Sequence, residues 1–532
     1  MTRTESGFGA LGRRVFLLIF TLELAFGIWL GYHDVLLGDA VSRTANAYYV
    51  LNVEPYRFAS MGLVWNPLPS TLQLPFVALA KLWKPLVTKG IGAAAVSALF
   101  AAWSASMLLK AFLKMRVPRG RALTLTLLSA LNPYVFFYGA NGMSEMISFA
   151  FTVLIVTSLT LWMREGAAGD LVRIAMGFVG LFLTRYESIP FAAAVSVSIA
   201  LFILVSRREK GYYLGGKKSE TYFYLEGTAI LVLSPMAYAV VMWMVYNWAI
   251  SGNPLYFLNS GYSMLAYSAY YTAVGGPLAA LNFLWARAWP FLIVVGAVLF
   301  LRFFRGRLFR LDTLIFLMVS LVLTAFQYAM LLNGSSAGYV RYMCYPLVVG
   351  LSWLPYELGE AQDAPAGRGN GRWDGRWDGR WAFRFFAACL IALGLFFGRG
   401  LVRNEILRED TLLTLPEGSV QVADYINSRL SDKRVLMDAY RAYYVFMNLD
   451  HPENVVISSS PDFYESLADP AAYGVDYVMA PESGSYGDMD AVNIAYRSLY
   501  YGGEPWCEEE AAIGEFKLFR VTDRVWGGAA GA

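Results

Sequence analysis

The sequence predicts a mainly α-helical membrane protein: a polytopic bundle of about 11 transmembrane spans, a juxtamembrane helix after the first span, and a small C-terminal extracytoplasmic α/β domain. Three observations predict this fold. The 532 residues are 57% hydrophobic and only 16% charged, less charge than a soluble chain carries, and the mean hydropathy is +0.45. Apolar runs of about 20 residues recur up to residue 400. After Arg403 the composition becomes that of a soluble domain.

The predicted spans are apolar segments that approach the length needed to cross a hydrocarbon core of ~30 Å. They lie at 13–31, 91–113, 122–139, 144–163, 174–184, 186–206, 226–249, 287–304, 312–332, 340–356 and 382–400. The segment 174–184 is short for a span, and the prolines and lysines of 66–84 favour a helix at the membrane interface. The first span has no small-residue cleavage site after it, so we interpret it as a retained helix and not a signal peptide.

The distribution of basic residues predicts the orientation. Short basic clusters fall on one side of the predicted spans, at Arg13 and Arg14, 114–121, 164–173, 207–218, 302–310 and 367–381. The positive-inside rule makes that side cytoplasmic. We therefore predict a multi-pass protein of the cytoplasmic (inner) membrane, with a transmembrane domain at 1–400 that includes an external loop at 32–90. The second domain, 401–532, lies outside the membrane, and the repeat "GRWDGRWDGRW" (371–381) is a solvated loop.

Strand-like runs in the C-terminal domain alternate with helix-like stretches. The runs lie at 433–439, 453–460, 475–481 and 515–521, and no glycine-rich phosphate-binding loop opens any of the helices. This domain is therefore a cap or acceptor-side module. A net charge of +3 without a basic patch argues against nucleic acid. Because the three cysteines are scattered and the only histidines are His33 and His451, the chemistry must depend mainly on carboxylates, Arg, Lys and Tyr.

Charged residues at the outer ends of the helices are the candidate site, because charge at membrane depth costs about 2.5–3.5 kcal/mol per group. They are Asp34, Asp39, Glu145, Arg185, Glu187, Arg287 and Arg341. Each has a structural alternative. Asp39 could N-cap the next helix and pair with Arg43, and Asp34 could be a solvated loop acid.

The alternatives extend to the other candidates. Glu145 could only complement a helix dipole, Arg185 and Glu187 could only pair with each other, and Arg341 could reach lipid headgroups. Glu23, inside the first span, is too deep for the outer site, and we interpret it as structural or as facing a polar interior.

The order of several motifs resembles the C-type glycosyltransferase superfamily (GT-C fold), whose members include protein O-mannosyltransferases and lipid A aminoarabinose transferases. An acid follows the first helix in "GDAVSRTANAYYVL" (38–51), and "VWNPLPSTLQLP" (64–75) resembles the proline-marked entry to the next segment. "LNPYVFFYGANGMSEMISFAF" (131–151) resembles the second acid-bearing loop, and "RYMCYPLVVGLSWLP" (341–355) the late Arg-Tyr helix. The chain departs from the aminoarabinose transferases at Trp65 and Asn66, where they have a Glu-Lys pair.

The resemblance implies transfer of a monosaccharide from a polyprenyl-phosphate-linked donor to an acceptor hydroxyl on a protein, glycolipid or cell-wall glycan. It assigns Asp39 as general base and Glu145 as a second catalytic acid residue. Substrate-binding roles are expected for Asp34, Arg185, Glu187, Arg287, Arg341 and Tyr342. The resemblance leaves a divalent metal open, Mg²⁺ or Mn²⁺, with Asp39, Glu145 and His33 as its candidate ligands.

Two other classes of function remain at this point. A transporter or flippase of a lipid-linked or amphiphilic substrate would show internal repeats, broken helices and charge near the midplane. A scaffold that binds a partner through the α/β domain would leave the clustered acids unexplained.

Overall fold

The computed structural model describes residues 3–209, 218–260, 274–363, 379–403, 405, 415–484 and 487–524. The chain divides into two compact units. Unit 1 is Met1–Ala25, Leu63–Leu68 and Ser97–Asp410, and unit 2 is Phe26–Gly62, Pro69–Val96 and Thr411–Ala532. The predicted domains divide the chain at one point, whereas unit 2 also takes in most of the predicted external loop 32–90. Most of the repeat at 371–381 and much of the tyrosine-rich loop 251–271 lie outside the described residues.

Long apolar helices dominate the chain. Helices α1 to α9 are Arg3–Tyr32, Gly38–Asn52, Leu68–Thr71, Leu74–Leu79, Pro85–Thr88, Ile91–Lys114, Arg119–Ala130, Pro133–Ala140 and Ser144–Glu165. Helices α10 to α17 are Ala168–Phe182, Ser188–Glu209, Lys218–Ser251, Tyr256–Asn259, Pro277–Phe304, Leu311–Leu332, Tyr345–Asp363 and Gly379–Val402. A 3₁₀ turn, Val340–Met343, precedes α16.

Within the described residues, eight helices are long and apolar enough to span a membrane, or nine if the bent pair α7 and α8 is one span. The polytopic helical bundle is thereby confirmed, with fewer full-length spans than the predicted number. Helix α10 has only 15 residues, and α16 contains Pro355 and ends among charged residues. The segment 66–84 holds only short helices, α3 with four residues and α4 with six, too short to cross a bilayer.

The bend between α7 and α8 has a local cause. The two helices meet at 64°, where Pro133 removes a backbone donor and fixes the first turn of α8. Asn132 caps the new helix, because its side-chain oxygen accepts a hydrogen bond from the Tyr134 N–H at 3.1 Å. The predicted span 122–139 is therefore two helices.

One predicted surface arginine of unit 1 is buried. Arg302, at the end of α14, is 1% exposed. Its Nε donates to Glu357 Oε1 of α16 at 2.7 Å and its Nη1 to Thr313 Oγ1 of α15 at 2.7 Å. Trp353 Nε1 also donates to Glu357, at 3.0 Å. This network ties three helices together, so Arg302 does not act as a loop cation.

Unit 2 contains a mixed five-stranded sheet of order β2-β1-β3-β5-β4. The strands β1 to β5 are Val435–Met437, Val455–Ile457, Tyr477–Pro481, Cys507–Ile513 and Phe516–Val521. β1 pairs in parallel with β2 and β3, and β5 is antiparallel to β3 and β4. Helices α18 to α22 are Ser419–Arg429, Ala439–Asn448, Phe463–Ala468, Ala491–Ala495 and Leu499–Gly502. The predicted α/β domain is confirmed.

The juxtamembrane segment packs on this sheet domain within unit 2. Tyr49 of α2 contacts the Phe446 ring of α19 edge-on, with centroids 5.4 Å apart. Lys84 donates to the carbonyl oxygens of Asn448 and Leu449 at 2.9 and 3.1 Å, which satisfies the C-terminal end of α19. The amphipathic segment is thus held by protein contacts as well as by its composition.

Two buried carboxylates in unit 2 cap neighbouring helices. Asp438 accepts from the N–H of Tyr440 at 3.2 Å and from that of Ala491 at 2.7 Å. Asp490 accepts from the N–H of Val492 at 3.0 Å. Burial, and then the nearby charge of Asp438, raise the pKa of Asp490 well above its ordinary value.

Candidate functional site

A cluster of charged and aromatic side chains lies at the ends of several helices in unit 1. Glu145 is in the first turn of α9, Arg185 and Glu187 are in the turn between α10 and α11, and Arg341 is in the 3₁₀ turn before α16. Helix termini bring these groups together because each adjoining chain segment reverses direction there. The structure thus assembles four of the predicted site residues.

Glu145 is the centre of this cluster. Its Oε1 accepts a hydrogen bond from Arg185 Nη1 at 2.8 Å and lies 3.6 Å from Arg341 Nε. The side chains of Glu145 and Arg341 are each 3% exposed and that of Arg185 is 12% exposed. One buried carboxylate therefore holds two guanidinium groups, an arrangement that is more than the helix-dipole role of the structural alternative.

Arg185 is engaged from two sides. Its Nε and Nη2 donate to the two carboxylate oxygens of Glu187 at 3.3 and 3.0 Å, a bidentate pairing of the kind that a planar guanidinium favours. Arg185 and Glu187 do pair with each other, as the alternative held, but Arg185 also reaches Glu145. The four charged groups sum to zero in this state.

Tyr342 lies between the two arginines. The guanidinium carbons of Arg185 and Arg341 are each 5.2 Å from the centroid of its ring, and Arg341 is also 5.0 Å from the Tyr339 ring. These distances allow cation–π attraction. The aromatic rings thus hold two like charges close together without adding a counter-ion.

The turn that carries Arg185 is fixed by the segment 63–68. Asn66 Nδ2 donates to the Phe182 carbonyl at 2.6 Å, and the Leu68 N–H donates to that of Leu183 at 2.9 Å. Tyr186 donates its hydroxyl proton to the Val64 carbonyl at 3.0 Å, and Trp243 donates to the Tyr186 oxygen at 3.0 Å. The proline-marked motif therefore positions the Arg185 turn, in place of the Glu-Lys pair of the aminoarabinose transferases.

The cluster has the chemistry of an anion site with an acceptor oxygen. Two buried guanidinium groups supply donors that match phosphate or carboxylate oxygens. Glu145 Oε2 is buried and has no hydrogen-bond partner among the described residues. An unpartnered carboxylate oxygen can accept a hydrogen bond from a hydroxyl group of a bound molecule.

Arg287 lies apart from these contacts in unit 1. It stacks on Phe283, one turn earlier in α14, with its guanidinium carbon 3.7 Å from the ring centroid. No distance from Arg287 to the other site residues follows from this geometry, so its substrate-binding role stays a prediction.

Asp34 and Asp39 belong to unit 2. Asp34 accepts from Lys89 Nζ at 2.6 Å and its side chain is 72% exposed, in accord with the alternative of a solvated loop acid. Helix α2 begins at Gly38, with Leu37 as its N-cap residue and no side-chain cap. The alternative that Asp39 is the N-cap is therefore wrong. Asp39 lies in the first helical turn, half-buried, and its charge acts on Tyr443 of α19.

The metal alternative gains no ligand set. Within the described part of the chain, no group of three or more His, Cys, Asp or Glu side chains is placed to hold a metal ion. The predicted ligands Asp39, Glu145 and His33 are therefore not such a group. His33 is exposed, its Nδ1 lies 2.8 Å from the Trp29 carbonyl oxygen, and its ring lies against that of Trp29.

The sequence prediction missed the residues that support the cluster: Tyr186, Trp243 and Tyr339. A signal for one of them was present, because both site arginines are followed by a tyrosine, in "TRYES" and "VRYM". Trp243 gave no signal, since it is one aromatic residue among many in a long apolar helix.

Comparison with known proteins identifies the fold. No family model matches the sequence, and no curated protein matches it. The structure resembles that of ArnT from Cupriavidus metallidurans bound to undecaprenyl phosphate, with 14% identity, a TM-score of 0.53 and coverage of 97% of this chain and 98% of that chain. ArnT from the same organism in the apo state gives 13% identity and a TM-score of 0.52 over the same shares. The expected fold is confirmed: the chain has the fold of this C-type glycosyltransferase over nearly its whole length.

Proposed function

We propose that the protein is a membrane glycosyltransferase that moves a monosaccharide from a polyprenyl-phosphate-linked donor to an acceptor hydroxyl. The observation that carries the proposal is the buried Arg185–Glu145–Arg341 cluster, in a fold shared with a protein solved with undecaprenyl phosphate. Neither half suffices alone. The fold is common to a range of transferases, and the cluster gives it a place for an anionic group.

The phosphate of the donor binds the guanidinium groups in this proposal. Arg341 is the first ligand, because its contact with Glu145 at 3.6 Å is longer than that of Arg185 at 2.8 Å. Arg185, held by Glu145 and Glu187, is the second ligand. As the bond from the sugar to phosphate breaks, negative charge grows on the leaving phosphate, and fixed positive charge stabilises that change.

The acceptor is activated by a carboxylate. Asp39 takes the proton of the acceptor hydroxyl while its oxygen attacks the anomeric carbon. The electron pair of the breaking carbon–oxygen bond goes to the lipid phosphate, so the products are the glycoside and the free polyprenyl phosphate. A single displacement inverts the anomeric configuration. Glu145 Oε2 accepts a hydrogen bond from the sugar or the acceptor and orients it.

The distribution of basic residues supports a place for this reaction. It puts the C-terminal domain and the helix ends that bear the cluster on the extracytoplasmic side of the inner membrane. There the acceptor would be a protein, a glycolipid or a cell-wall glycan. The lipid donor would enter from the surrounding membrane lipids.

Reconstitution tests the proposal. The purified protein is placed in lipid vesicles with a pool of polyprenyl-phosphate sugars and candidate acceptors, and consumption of each donor is followed. We expect the wild type to consume one donor and Asp39→Asn to lose at least 100-fold in rate, since general-base catalysis contributes about 10² to 10⁴. Asp424→Asn, the same change at an exposed site of unit 2, should leave the rate unchanged.

Each outcome decides something. Equal consumption by wild type and Asp39→Asn would reject Asp39 as the base. Movement of intact donor across the vesicle membrane, with no donor consumed, would reject the transferase and support the transporter alternative.

A further inference from the structure

A second polar feature of unit 1 lies inside the helical bundle. Glu23 of α1 is 0% exposed, and neither of its carboxylate oxygens has a hydrogen-bond partner among the described residues. The four charges of the Glu145 cluster make none of its contacts. Glu23 therefore needs an explanation of its own, because a buried carboxylate is normally paired, hydrogen-bonded or bound to a metal.

Glu23 lines a cavity. The space holds about 40 Å³, room for one small ion and one or two water molecules. Its walls come from six helices, α1, α6, α7, α8, α9 and α16. The bundle keeps this space open at the carboxylate, since the residue opposite is Gly139, where a Cβ atom would overlap the Glu23 carboxylate.

The other polar groups of the cavity offer oxygen lone pairs. Ser104, Ser129 and Ser352 donate their protons to backbone carbonyls four residues earlier, at 2.8, 2.8 and 2.7 Å. Their oxygens keep lone pairs for another partner. Thr126 Oγ1 is buried with no hydrogen-bond partner in the described part of the chain.

Positive charge is missing from the lining. The residues that line the cavity include no Lys, Arg or His. An ionised carboxylate at this depth is costly in an apolar medium, and neither a lipid chain nor water removes its charge. Only a cation does so, and one carboxylate neutralises one positive charge.

We propose that this cavity binds a single monovalent cation through Glu23. The cation is either a proton on the carboxyl group or a sodium-sized ion held by the carboxylate and the hydroxyl oxygens. Both neutralise the same charge in the same space, and both are absent from the proposed transfer reaction. The cavity is therefore a site of its own.

Two measurements separate the two cations. Thermal unfolding of the full-length protein in detergent is compared in NaCl, KCl and choline chloride at equal ionic strength, for the wild type, Glu23→Gln and Glu165→Gln. Glu165 is exposed at the end of α9 and is the matched control. The infrared spectra of the same three proteins are compared in the region of the protonated carboxyl group.

A sodium site predicts a midpoint about 2 °C or more higher in NaCl than in choline chloride, for the wild type and Glu165→Gln but not for Glu23→Gln. A proton site predicts no dependence on the salt, and a protonated carboxyl band that Glu23→Gln lacks and Glu165→Gln keeps.

The proposal is overturned if the wild type shows neither the sodium effect nor a band of a protonated carboxyl in the interior. The salt series on the wild type is decisive for sodium even if Glu23→Gln fails to fold. For the proton, Glu23→Asp then replaces it and is expected to shift the band instead of removing it.

Discussion

Replacement of Glu145 by Gln changes the charge of the candidate site and nearly nothing else. The carboxylate is 2.8 Å from Arg185 Nη1 and 3.6 Å from Arg341 Nε, and the three side chains are almost buried. At an effective dielectric of about 20, unit charges 4 Å apart attract by about 4 kcal/mol. Loss of one partner from a buried ion pair costs about 3–5 kcal/mol.

The expected cost for this variant is at the low end. Arg185 keeps its bidentate contact with Glu187, and the Gln amide oxygen still accepts a hydrogen bond. We therefore expect a loss of about 2–3 kcal/mol in the free energy of unfolding, measured as a lower thermal midpoint in detergent. Glu165→Gln, at an exposed position, should show no loss.

The same change should strengthen the binding of an anion. The four groups sum to zero in the wild type and to one positive charge in the variant. We expect about tenfold tighter binding of free polyprenyl phosphate, about 1.4 kcal/mol, together with slower sugar transfer because Glu145 no longer orients the substrate. Tighter binding with slower transfer is the signature. A folded variant that binds the lipid phosphate more weakly would refute the assignment of the cluster as a phosphate site.

Three further predictions test other parts of the structure. Arg341→Lys keeps the charge but loses the planar fork, so the KM for the lipid donor should rise about tenfold with a smaller change in kcat; steady-state kinetics beside the exposed Arg384→Lys check this. Asp490→Asn should make the thermal midpoint less dependent on pH. The raised pKa of Asp490 means that the folded protein keeps a proton that the unfolded chain has lost, so stability falls with rising pH, by at most about 1.4 kcal/mol per pH unit. The variant is therefore expected to be the more stable protein at pH 8, and an unchanged pH profile would contradict the argument. Gly139→Ala should destabilise unit 1 by about 1–3 kcal/mol through overlap with Glu23, and much less in a Glu23→Ala background; additive effects in the double-mutant cycle would contradict the contact.

Much of the fold was predictable from simple periodicity. Uninterrupted apolar runs predicted α1, α6 and α9 because a helix in lipid must satisfy every backbone group internally. Four of the five strands were predicted from short β-branched runs. Strand β4 was not, because "CEEEAAI" puts three consecutive glutamates in an exposed edge strand, and such a pattern resembles a loop.

The charged cluster was predictable in part. Its members could be found because charge at a helix end in lipid is costly and therefore informative. Their pairing could not be found, since it depends on which helix ends are neighbours. The position of Tyr342 between two guanidinium groups is a tertiary contact with no periodic signal. Arg302 misled the prediction for the same reason, because a basic cluster next to a span predicts a cytoplasmic loop whether or not one arginine turns inward.

The occupancy of the Arg341 and Arg185 site by lipid phosphate is the most direct measurement of the central claim. Native mass spectrometry of the protein incubated with polyprenyl phosphate reports that occupancy for the wild type, for the double variant Arg185→Gln and Arg341→Gln, and for Arg384→Gln as an exposed control. We predict that the wild type and the control carry one bound lipid phosphate and that the double variant loses it. Equal occupancy in a folded double variant would contradict the account.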